Sequence, residues 1–104
     1  MKVRFTSKEI RCRISESEAS ELQNGKTVEV STVFSPIDIF KIELTPWLPN
    51  VCSVATDKKL IRIQVPQSAF TNSSNEIIQY AGVVDNGTEK PLHVLIEVDL
   101  PTKH

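Results

Sequence analysis

His93, Glu97 and Asp99 are the residues of this 104-residue chain that most invite chemistry. A histidine and two carboxylates of one parity share a face if residues 92–100 form a strand, and such a set could hold a metal or move a proton. Strand geometry weakens the idea. Positions i and i+4 lie roughly 13 Å apart at about 3.3 Å per residue, so His93 and Glu97 share one ion only if neighbouring strands add ligands. No metal and no cofactor is assigned, and no catalytic residue. A small enzyme or metal or small-molecule binder using His93 with Glu97 or Asp99 stands as the alternative reading. Cys12 and Cys52 are too far apart in sequence for a redox or zinc-knuckle pair, and neither has a local nucleophile signature, so both read as reduced thiols. Gly25, Gly82 and Gly87 form no phosphate-cradling pattern and read as turn residues.

The strongest charge feature is at the start. Lys2, Arg4, Lys8, Arg11 and Arg13 against Glu9 give residues 1–14 a net +4 in a chain of formal net charge −1. If these residues form a hairpin, Lys2, Arg4, Arg11 and Arg13 share its wet face, where they could meet an acidic partner or a phosphate backbone. They could equally pair with Glu97 and Asp99 of a neighbouring strand. Trp47, set between Pro46 and Leu48-Pro49, is either an exposed anchor for a partner or a lid on an open end of the sheet. Phe5, Phe34 and Phe40 read as core, which leaves few rings for stacking nucleic-acid bases.

The elements that must position these groups follow from pattern. Val3 and Phe5, then Ile10, Cys12 and Ile14, alternate with charged residues and predict a hairpin. Ser15 is placed as an N-cap with Glu18 three residues on, a capping box for a helix over 16–23 that Asn24-Gly25 ends. Strands are predicted from 28 to 34 and from 39 to 45, where Pro46 and Pro49 break the pattern. A hairpin about Asp57-Lys58 and a helical turn over 67–70 after Pro66 come next. Residues 71–75 read as a polar loop, 77–81 as a short strand and 92–100 as the last strand. The Asn72 and Asn86 sequons read as turns. No internal repeat or linker is seen.

These elements predict a single α+β domain over 1–104. It is a mainly antiparallel curved sheet or partly open β-barrel of about 7–8 short strands with one N-terminal helix, since short links and few helices leave little means of making parallel neighbours. Composition is that of an ordinary globular protein, 39% apolar and 24% charged. With no apolar run long enough to span a bilayer and no signal-peptide pattern, the expected place is the cytoplasm, without membrane contact.

The pattern Lys2-Val3-Arg4, Ser7-Lys8-x-Ile10-Arg11-x-Arg13-Ile14-Ser15-x-Ser17-Glu18, with Pro91-Leu92-x-Val94-Leu95-Ile96-Glu97-x-Asp99 far downstream, resembles the two ends of a family of short bacterial proteins of unknown function. Where relatives continue with a cysteine and an acidic, proline-containing tail, this chain reads Pro101-Thr102-Lys103-His104. The resemblance implies a bacterial cytosolic domain and no activity. The reading that fits all of this is a non-enzymatic binding domain that engages another protein or itself through Lys2, Arg4, Arg11 and Arg13 or through Trp47. Nucleic-acid binding by the basic hairpin is the third reading.

Overall fold

The chain opens as its alternation requires: β1 (Lys2–Phe5) and β2 (Glu9–Ser15) form an antiparallel hairpin with Lys2 opposite Arg13 and Arg4 opposite Arg11. In this computed structural model residues 1–70 and 78–99 are described. Ser15 then caps α1 (Glu16–Gln23). Its Oγ accepts from the Glu18 N–H at 3.1 Å while Glu18 Oε1 accepts from the Ser15 N–H at 2.9 Å, so both bonds of the predicted capping box form. The helix stops where Asn24-Gly25 allows it to, Gly25 taking φ +81°.

β3 (Val28–Ser35) and β4 (Asp38–Trp47) form a second hairpin, and β5 (Ser53–Asp57) and β6 (Leu60–Pro66) a third. A 3-10 turn over Gln67–Phe70 follows Pro66. β7 (Ile78–Val84) and β8 (Leu92–Asp99) complete the fold. The α+β class, the strand count, the helix and the mainly antiparallel pairing all stand. The strands are divided between two four-stranded sheets, β1-β2-β8-β7 and β3-β4-β6-β5, and neither closes into a barrel.

Each sheet joins two antiparallel hairpins through a central parallel pair, β2 with β8 and β4 with β6. That corrects the expectation of no parallel neighbours. The β4 to β6 crossover is not helical: β5 carries the chain past β6's place to the sheet edge, and β6 returns to lie beside β4. The β2 to β8 crossover takes in α1, the whole second sheet, the 3-10 turn and β7. The same strand order thus occurs twice, nested, without a repeat in the sequence.

Inward residues of both sheets meet in one core. Cys12, Ile14, Val94 and Ile96 come from the first sheet and Leu44, Ile63 and Val65 from the second, with Leu22 of α1 fully buried among them. Alternation is why they converge, since each strand puts every second residue on its covered face.

Three local departures have physical causes. β4 continues through Pro46, which pairs with Val65, because β3 reaches only as far as Leu44 and leaves the other side of Pro46 with no ladder to break. Gly82 is not a turn residue but lies in β7 opposite Val94, where a Cβ would sit 2.6 Å from Tyr80 Cε2, so the tyrosine ring fills the space a side chain would need. Phe5 and Phe34 are exposed rather than core, while Phe40 is half-buried. Phe34 stands at a register shift between Val33 and Ser35, a bulge that takes it out of the inward alternation. The turn reading holds for Asn86, whose Oδ1 accepts from the Thr88 N–H at 3.1 Å; the 71–75 loop, Asn72, Ile77 and Leu100 lie outside the described residues.

Candidate partner-binding face

Pairing register sets two rows across the outward face of the first sheet. One runs Lys2, Arg13, Glu97; the other runs Arg4, Arg11, Leu95, Ala81. The sequence-predicted cations therefore do share a face, and they do so as like-charged pairs directly opposite one another, an arrangement that costs stability unless anions offset it.

Glu97 supplies that offset in part. It is the one buried charged residue among those described, with Arg11 Nε 3.3 Å from its Oε1 and Arg13 a guanidinium nitrogen 3.7 Å from its Oε2. Arg11 is also held by Glu9 at 2.9 Å. Lys2 and Arg4 are exposed, and no carboxylate among the described residues pairs with either. The expected pairing with the last strand is thus met by Glu97 and not by Asp99, which lies at the strand end opposite Ser15.

Lys2, Val3, Arg4, Arg11 and Arg13 line a shallow hollow of about 170 Å³. A second, of about 350 Å³, runs across the same face past Lys8, Arg11, His93, Leu95 and Ala81. The face grades from cationic at β1 and β2 to apolar at β7. Its rows hold no aromatic side chain, since Phe5 pairs with buried Ile10 on the opposite face of the sheet.

His93 is on this face, exposed, its backbone N–H bonded to the Lys8 carbonyl at 2.9 Å. Its potential partner Glu97 is engaged by arginine, and no three His, Cys, Asp or Glu side chains converge as a metal site among the described residues. Cys12 and Cys52 are buried and free. Burial pushes the Cys12 thiol up to about 12, the N-terminal ammonium offsetting only part of the rise. That protonated, enclosed sulfur is the opposite of an activated nucleophile.

Trp47 ends β4 half-exposed, its indole N–H donating to the Val51 carbonyl at 2.7 Å. The loop is closed on its own ring. It presents Leu48 to solvent instead. Sequence reasoning also missed an apolar group at the β3–β4 turn: Val33, Phe34, Ile37 and Ile39 are all exposed. The available signal was Ile39, an apolar residue on the outward parity of its strand.

The molecule is thus a two-sheet α+β protein with a cationic outward sheet face whose rows of cations hold no Phe, Tyr or Trp, and with no assembled catalytic group among its described residues. It belongs to the family of unknown function DUF7009, whose pattern matches residues 1–102. No curated protein and no solved structure matches it. No described helix is long and apolar enough to cross a membrane.

Proposed function

We propose that this is a non-enzymatic bacterial cytosolic binding module that takes an acidic protein surface on the outward face of β1 and β2. The observation that carries the reading is Lys2 and Arg4: two exposed cations, each opposite an arginine, on a face where the one buried carboxylate is already shared by Arg11 and Arg13. An incoming carboxylate relieves repulsion already present in the free protein, so it binds with more than its own contact energy. No Phe, Tyr or Trp stands in these rows and His93 adds a single imidazole beside them, which favours an acidic polypeptide over single-stranded nucleic acid, whose successive bases need several stacking platforms. Two buried, unpaired thiols suit a reducing compartment.

The test is titration of poly-glutamate and of a single-stranded oligonucleotide against the wild type, Lys2→Glu/Arg4→Glu and Trp47→Ala. The double reversal is expected to weaken poly-glutamate binding at least about tenfold, as two charge contacts of about 1 kcal/mol each would require, with Trp47→Ala near wild type. Tighter binding of the oligonucleotide, or indifference to the reversal, would sink the reading.

A further inference from the structure

The β3–β4 hairpin outruns its sheet. β6 joins β4 only from Lys41, so Thr32 opposite Phe40, Val33 opposite Ile39 and Ser35 opposite Asp38 form a two-stranded arm with no third strand beside it. Ribbons of two strands are marginal by themselves. This one is braced by Lys59, whose Nζ donates to the Ile37 carbonyl at 3.0 Å and pairs with Asp38 at 3.1 Å. On it Val33 is 65% exposed, Phe34 70%, Ile37 88% and Ile39 42%. With side chains of about 150–200 Å² each, that is on the order of 450 Å² of apolar surface, the size of a functional patch.

We infer that the arm is the contact by which two copies of this chain associate, β3 of one lying antiparallel to β3 of the other across a two-fold axis. β3 is a sheet edge, and residues 30–37 carry no charge. Self-pairing centred on Thr32 sets Glu29 opposite the neutral far end of the second copy's strand, so no like charges meet. The same operation at the β1 edge would oppose Lys2 and Arg4 to themselves. β7, the other uncharged edge, shows two exposed apolar side chains, Ile78 and Val83, against the arm's four. An anionic membrane is the poorer occupant: the cations beside the arm, Lys41 and Lys59, are held by Glu29 at 3.5 Å and Asp38 at 3.1 Å, leaving little surplus positive charge to hold lipid headgroups. The arm's apolar patch with the strand edge approaches the roughly 800 Å² per partner of a stable interface.

Sedimentation of the full chain at concentrations to about 0.1 mM would reveal a dimer of micromolar Kd. Phe34→Lys and Ile37→Lys, at exposed sites that leave the circular dichroism unchanged, are each expected to weaken it at least about 30-fold, and Leu48→Lys at the opposite end of β4 to leave it intact. Thr32→Cys is expected to cross-link the dimer on mild oxidation, since the native cysteines are buried. A wild type that stays monomeric, a dimer indifferent to both arm variants, or a monomer that binds anionic vesicles only with Phe34 intact would each overturn the inference.

Discussion

Replacing Glu97 by glutamine keeps the shape of the one buried anion of the cationic face and deletes its charge. At 3.3 and 3.7 Å, with an effective dielectric of about 40, each arginine attraction is about 2 kcal/mol. The guanidiniums of Arg11 and Arg13 are about half exposed and Glu97 has been taken out of water, so solvent screening and desolvation leave a net of about 1.5–2 kcal/mol for the two contacts together. The cross-strand pair Lys2/Arg13 then repels without an offset and Arg4/Arg11 with only that of Glu9, which acts in the same direction. Glu97→Gln is therefore expected to lose about 2 kcal/mol in urea denaturation and roughly 8–12 °C in Tm. The salt response separates charge from packing. Raising salt from about 0.1 to 1 M shortens the screening length from about 10 to 3 Å, so the gap to wild type should shrink by about half. A variant within about 0.5 kcal/mol of wild type, or a gap that salt does not change, would refute the electrostatic account of this face.

Further outcomes follow from other contacts. Tyr80 is the sole tyrosine, and burial, then its hydrogen bond and charge contact with Cys52, raise it to about 12; absorbance titration should show that ionisation, moved down by Cys52→Ala. Because its folded value exceeds its unfolded one, the stability it contributes is complete below about pH 10 and lost as pH climbs toward 12. Burial acts to raise Glu18, but the Ser15 N–H and the N-terminal ammonium at 3.0 Å bring it below the ordinary glutamate value, so its contribution is present above about pH 4 and disappears as pH falls through the lowered value; Glu18→Gln should flatten acid denaturation curves in that window. Gly82→Ala should cost about 1–3 kcal/mol by driving the Tyr80 ring from its place, and much less in a Tyr80→Ala background. Neither cysteine should react with a thiol reagent until the protein unfolds, measured as reagent consumption against urea.

What could be read from the sequence was local. The hairpin of residues 2–15, the capping box at Ser15 and Glu18 and the turn after Pro66 depend on groups a few positions apart, so residue order states them directly. Complementary charge pointed to the last strand as a neighbour of the basic hairpin, and Arg13 does meet Glu97; the direction of that pairing is encoded by no periodicity, and the central parallel pairs were missed for that reason. Residue type also misled where position decided. Phe34 has the alternation of a core residue, but a bulge and the early start of the hairpin relative to β6 leave nothing for it to be buried against. The cations were found because charge is visible in composition. The split among them, Arg11 and Arg13 engaged and Lys2 and Arg4 not, required the register.

The nesting of one sheet within the other also governs the order of assembly during synthesis. Residues 28–66 hold every strand of the inner sheet, so its pairing needs no strand that follows it in the chain. The β1–β2 hairpin precedes it in the chain, yet waits for β8, which follows it, to bring the carboxylate of Glu97. Until β8 is in place Arg13 has, among the described residues, no carboxylate beside it and Arg11 only Glu9, so Glu97 quenches part of the ribbon's charge and leaves that of Lys2 and Arg4 on show.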